Sequence, residues 1–115
     1  MVKEFNSLEE IQKYYDKNTN TYVFKENGEY IGVVVFNFNL NVDANIDVAD
    51  IDACDISALN IDAWDIKASN INALNISYWG VCFAYDSIKC KSIKGRHPDS
   101  KHFAIDGELV VEEDD

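Results

Sequence analysis

Two thiols and two imidazoles in the C-terminal third are the residues best equipped for chemistry. Cys82, Cys90, His97 and His102 supply the two-sulfur, two-nitrogen donor set of a structural zinc site. Seven, six and four residues separate them, a spacing that matches no common zinc finger, so a zinc site requires the chain to fold the four back on one another. Gly95 and Pro98 offer a break in regular structure for that purpose. The competing reading, and the commoner fate of such residues, is two packed thiols and two surface histidines. Cys54 reads as a buried small apolar residue. Calcium is not expected, because the glycine-rich nonapeptide pattern is missing.

The carboxylates are the second resource. Residues 43–66 hold Asp43, Asp47, Asp50, Asp52, Asp55, Asp62 and Asp65 and no Lys or Arg. Residues 89–101 reverse the sign with Lys89, Lys91, Lys94, Arg96 and Lys101 against Asp99, and the chain is acidic again from Asp106 onward. The acids recur as repeat positions rather than as one paired site, and no nucleophile–base motif, phosphate-binding loop or dinucleotide fingerprint accompanies them. The expectation is therefore a protein without catalytic activity. A net charge of −11 excludes nucleic-acid binding by phosphate neutralisation. It fits either a solvated, solubilising surface or a rigid acidic rod that presents phosphate-like charge to a basic partner.

The elements that must position these groups are eight consecutive pentads: ANIDV, ADIDA, CDISA, LNIDA, WDIKA, SNINA, LNISY and WGVCF, over residues 44–83. Their third residues are Ile46, Ile51, Ile56, Ile61, Ile66, Ile71, Ile76 and Val81. The residue before each is Asp or Asn, with Gly80 in the last, and Cys82, after the last apolar residue, falls on an outward repeat position. A five-residue period fits neither a helix nor an alternating strand and requires a backbone that turns a corner every pentad, a solenoid.

The pattern resembles the pentapeptide-repeat family. The resemblance implies a mainly β fold: a short right-handed, four-sided β-helix with four pentads, and so twenty residues, per coil. Ile51/Ile71 and Ile56/Ile76 would then touch across adjacent coils. Charge placement agrees with this expectation, because an offset of twenty, like twenty-five, stacks no Asp on Asp, whereas five, ten and fifteen each do, fifteen placing Asp50 on Asp65. The sequence departs from the family at the first pentad position, where large Leu59, Trp64, Leu74 and Trp79 replace small residues and the small residue moves to the fifth position. On a four-sided coil Leu59 and Trp79 share a face. Such residues either pack under the N-terminal segment or form an exposed aromatic contact for a partner or a second copy.

The flanks complete a single domain. Residues 1–43 read as a helix and hairpin cap. Ser7-Leu8-Glu9-Glu10 is a capping-box signature, with Leu8, Ile11, Tyr14 and Tyr15 on the apolar side. Glu26-Asn27-Gly28 between TYVFK and EYIGVVVF is a hairpin signal. Phe36, Phe38, Leu40 and Val42 alternate with Asn as a strand leading into the regular coils at 44–83. Residues 84–115 read as a third, irregular coil that continues the fifth-position column through Ile88 and Ile93, a turn at Asp106-Gly107 and a frayed acidic tail. No signal peptide, membrane-length apolar run or lipidation motif is present, and three cysteines make no disulfide framework, which points to a reducing cytoplasm.

Short Asp/Asn-rich family members of this kind resemble those of phages and mobile elements in low-GC Gram-positive bacteria. The resemblance implies an inhibitor that imitates nucleic acid. Its expected partner is a bacterial nucleic-acid enzyme, first an RNA-guided nuclease (an anti-CRISPR role) and second DNA gyrase, with the seven Asp residues, Trp64 and Trp79 at the contact. The other class of function is a structural or scaffolding module whose C-terminal coil is clamped by zinc. Direct nucleic-acid or membrane binding is not expected.

Overall fold

Ile46, Ile61 and Ile76 stand in register on neighbouring parallel strands in the computed structural model of the protein, which describes residues 2–112. Ile51 pairs with Ile66, and Ile56 with Ile71. Each step is fifteen residues, so a regular coil holds three pentads, and the twenty-residue, four-sided coil with Ile51/Ile71 and Ile56/Ile76 contacts is corrected. The chain is mainly β, a solenoid of about five turns. The three columns begin at Tyr22, Val34 and Leu40, ahead of the recognisable pentads. They end at Ile93, His102 and Leu109. The first coil thus falls in the segment read as a cap, and the solenoid is longer than the pentads announce.

The physical reason for the three-pentad coil lies in its outward columns. Asn60 donates Nδ2–H to Asn45 Oδ1 at 2.8 Å, Asn75 does the same to Asn60 at 2.8 Å, and Ser92 Oγ reaches Asn75 Oδ1 at 2.6 Å. On the third side Asn70 Nδ2 bonds Asp55 Oδ1 at 3.0 Å and Ser87 Oγ bonds Asn70 Oδ1 at 2.9 Å. Each rung adds a hydrogen bond per coil at fixed spacing. An offset of twenty breaks these ladders, since it brings Asn60 against Gly80. The like-charge stacks that disfavoured fifteen do occur, as Asp47 over Asp62 and Asp50 over Asp65.

The interior takes the third and fifth pentad positions. The repeat isoleucines from Ile46 to Ile76 are buried, as are Val48, Ala58, Ala63, Ala68, Ala73 and Tyr78. β-Branched Ile suits the strand and fills the bore, while Ala at the next inward position lets the backbone turn without crowding. At the N-terminal end Phe5, Tyr14, Phe24 and Phe36 pack ring on ring with centroids 5.2–6.1 Å apart and close the bore. Strand Val2–Phe5 pairs with Val33–Phe36 there. The expected helix is a 3₁₀ turn at Leu8–Tyr14 that buries Ile11 and Tyr14 and leaves Leu8 and Tyr15 exposed. Ser7 makes no side-chain cap, and Glu10 accepts the N–H of Asn6 at 3.1 Å instead. The hairpin forms as read: Lys25–Glu26 pairs antiparallel with Glu29–Tyr30 around Asn27 (φ 53) and Gly28 (φ 82), the positive-φ pair that a two-residue turn requires.

One extra residue at the fourth coil changes which side chains face inward. Trp79 and Gly80 both donate backbone N–H to Trp64 O, at 3.1 and 2.8 Å, and Val81 N–H turns to Asp65 Oδ1 at 2.8 Å. A Cβ on Gly80 would lie 2.2 Å from that oxygen, so a larger residue at this corner must displace the Asp65 carboxylate. Beyond it Cys82, not Val81, enters the bore in register with Ile66. A further slip between Ala68 and Asn70 puts Ile88 on Ile71, and Ile93 lies on Ile76. Ile88 and Ile93 therefore continue the third-position columns rather than the fifth. Asp106-Gly107 forms the expected bend between Lys101–Ala104 and Leu109–Val111. Residues 113–115 of the acidic tail lie outside the described residues.

Candidate functional site

The seven aspartates ring the second and third coils rather than lining one face. Asp47 and Asp62 project from the first side, Asp50, Asp52 and Asp65 from the second, Asp55 from the third, and Asp43 from the turn before Ala44. Their environments differ. Asp47 accepts the hydroxyl of Tyr30 at 2.8 and 2.9 Å, and burial followed by the Asp47 carboxylate pushes that phenol up to about 12. Asp62 Oδ1 pairs with Arg96 at 3.0 Å; the same guanidinium donates to Ala63 O at 3.1 Å. Asp55 is a rung of an amide ladder. Asp43, Asp52 and Asp62 are the exposed members.

Asp50 stands apart. Its column has an acid where the other two have asparagine, so Asp65 offers no side-chain amide to the oxygen beneath, and only its backbone N–H bonds the Asp50 carboxylate. Asp50 Oδ1 is buried without a hydrogen-bond partner. Burial first, then the charge of Asp65, raises the carboxyl above its ordinary value.

The large first-position residues divide between two corners. Leu59 donates to Ala44 O and Leu74 to Leu59 O, one above the other; Trp64 bonds Ala49 O and Trp79 bonds Trp64 O at the next corner. Leu59 and Trp79 thus do not share a face, because three pentads separate vertical neighbours. Neither corner is covered by the N-terminal cap: Trp64 is 56% exposed, Trp79 50% and Leu74 41%. His97 lies edge-on to Trp79 with centroids 5.3 Å apart. The sequence reading missed a second aromatic surface on the adjoining side, where Phe83 and Phe103 stack at 5.5 Å and Tyr85 meets Phe83 edge-on. Phe83 occupies the fifth position, which is buried in the pentads just before it, and only the extra residue at Gly80 turns it out.

The proposed zinc ligands are dispersed. Cys82 and Cys90 are both buried, contrary to the outward position read for Cys82, and burial pushes the Cys82 thiol up to about 12. His102 pairs with Cys82 across coils but bonds Tyr78 Oη through Nδ1 at 2.6 Å. His97 Nδ1 accepts the backbone N–H of Asp99 at 3.0 Å. Among the described residues no group of three or more His, Cys, Asp or Glu side chains is close enough to hold a metal ion. Cys54, expected in the core, is exposed, as are the first-position residues Trp64, Leu74 and Trp79. No helix among the described residues is long and apolar enough to cross a membrane. Comparison of the chain with protein-family models, curated proteins and solved structures finds no match.

Proposed function

We propose that the chain is a non-enzymatic, protein-binding inhibitor whose acidic solenoid occupies a basic nucleic-acid channel on a bacterial enzyme. The observation that carries the reading is the ring of aspartates on two consecutive, ladder-bonded coils, with no Lys or Arg from residue 43 to 66. A scaffold held by amide ladders presents charge without reorganising. Pre-organised negative charge gains most against a channel built to hold phosphates, through steered association and exclusion of substrate. The target follows from the pentapeptide-like repeat: an RNA-guided nuclease first, DNA gyrase second, in a bacterial cytoplasm. The three-pentad coil departs from the four-sided outline which that resemblance implies, so charge on a rigid frame supports the reading, not the family silhouette. With about 4.8 Å between coils, the acidic ring suits a local plug better than imitation of a long duplex.

The test is inhibition of a purified RNA-guided nuclease, and of gyrase, by the intact protein and by a variant with Asp43, Asp47, Asp52 and Asp62 all changed to Asn. These four stand outside the ladders and the Asp50–Asp65 pair, so the fold should persist. Single exposed charges contribute little, but their joint removal should weaken inhibition at least about tenfold, and inhibition by the intact protein should fade as salt rises. Equal inhibition by the quadruple variant sinks the mimicry reading. The exposed aromatic corner would then favour the second reading, a scaffolding module that docks through Trp64 and Trp79.

A further inference from the structure

The corner that carries Trp79 holds a cleft of about 330 Å³ whose walls include Asp65, Trp79, Val81, His97, Asp99 and Ser100. Two carboxylates and no Lys or Arg line it. His97 Nδ1 takes the Asp99 N–H, which leaves Nε2 as the N–H donor of the ring. Half of the Trp79 surface remains exposed beside it. The Asp99 side chain is 92% exposed, with Oδ2 3.9 Å from His97 Nδ1. The Asp65 carboxylate is held in place by the Val81 N–H.

We propose that this cleft docks an arginine side chain from the protein partner. The chain itself shows what the neighbouring surface accepts: Arg96 lies along the same corner and divides its guanidinium between the Asp62 carboxylate and the Ala63 carbonyl. Arginine fits better than lysine for two reasons. Its planar fork can bond two separated acceptors at once, and its flat face stacks on indole. A lysine ammonium has the charge but neither geometry. The inference rests on the proposed binding of a basic protein surface and specifies which basic side chain that surface must present.

The chain has only two tryptophans, Trp64 and Trp79, both at this corner, so intrinsic fluorescence reports on the site directly. Nona-arginine and nona-lysine would each be titrated into the full chain at low and moderate salt. The expected result is a change in tryptophan emission with nona-arginine and at least about fivefold tighter binding than nona-lysine, consistent with one guanidinium–indole contact. Trp79→Leu should reduce the preference to within about twofold while leaving the far-ultraviolet dichroism unchanged. Glu9→Gln, on the N-terminal 3₁₀ turn, should retain the preference. Equal binding of the two peptides, weakening with salt, overturns the arginine cleft but leaves the acidic-surface reading standing. Failure of both peptides to bind overturns both. An emission change produced by protein concentration alone, with dimer formation in sedimentation, would assign the corner to a second copy and also overturn the proposal.

Discussion

Replacing Asp65 by Asn should make the protein more stable. In the two amide ladders each oxygen receives a donor from the coil above, at 2.8 Å for Asn45 and 3.0 Å for Asp55. Asp50 Oδ1 receives none. An Asn at 65 can keep its Oδ1 on the Val81 N–H and turn Nδ2 toward Asp50, completing the third ladder. A buried acceptor left unsatisfied costs about 1–3 kcal/mol. Because Asp50 is only partly buried, the lower part of that range applies, and about 1–2 kcal/mol should be recovered. Unfolding entropy near 2.1 cal/mol/K per residue gives about 0.24 kcal/mol/K for 115 residues, so Tm should rise by about 4–8 °C. The gain should also depend on pH. Folding raises the Asp50 carboxyl from its ordinary 3.8 by burial and by the Asp65 charge, so folding favours its protonated form. Native stability from this group is fully present below 3.8 and is lost as pH rises through the folded-state value. Thermal melts followed by circular dichroism at intervals between about pH 4 and 7 should show the Asp65→Asn advantage growing as pH rises. The exposed control Asp52→Asn should stay within about 0.5 kcal/mol of the parent. A neutral-pH Tm at or below the parent, or a gain independent of pH, would refute the ladder argument.

Gly80→Ala should destabilise by about 1–3 kcal/mol, because the new Cβ meets Asp65 Oδ1 at 2.2 Å; in a background of Asp65→Ala most of that cost should disappear, read as a coupling in a double-mutant cycle. Thiol titration of the native protein at mildly alkaline pH should label Cys54 rapidly and leave Cys82 and Cys90 unreactive until denaturant is added, since burial raises both inner thiols. The carboxyl of Glu26 is held below its ordinary 4.5 chiefly by hydrogen bonding to Lys3, then by the Tyr14 hydroxyl, so its contribution is present above 4.5 and lost as pH falls through the lower folded value. Glu26→Gln should flatten the acid limb of the stability profile, and an unchanged acid limb would show that this contact is not formed in solution.

The solenoid was legible in the residues because a period of five leaves few alternatives. Ile at every third pentad position must form a column, and Asp or Asn before it must face outward, whatever the number of sides. The hairpin at Asn27-Gly28 was equally local, since only residues tolerant of positive φ make that turn. Coil length was not local. Any multiple of five preserves the isoleucine column, so the choice falls to the outward pairs that meet in three dimensions. Asn45, Asn60 and Asn75 at intervals of fifteen were the signal available in the chain. The charge argument pointed to twenty because it treated every aspartate as ionised and unpartnered. Tertiary structure supplied the partners from remote segments, Tyr30 for Asp47 and Arg96 for Asp62, and burial shifted Asp50 toward its neutral form. The candidate sites diverge from the sequence pattern for the same reason. One extra residue at Gly80 inverted the facing of Cys82 and Phe83, and a three-pentad turn set Trp64 above Ala49 and Trp79 above Trp64. A repeat specifies its period by local chemistry, but phase and stacking are settled only where coils touch.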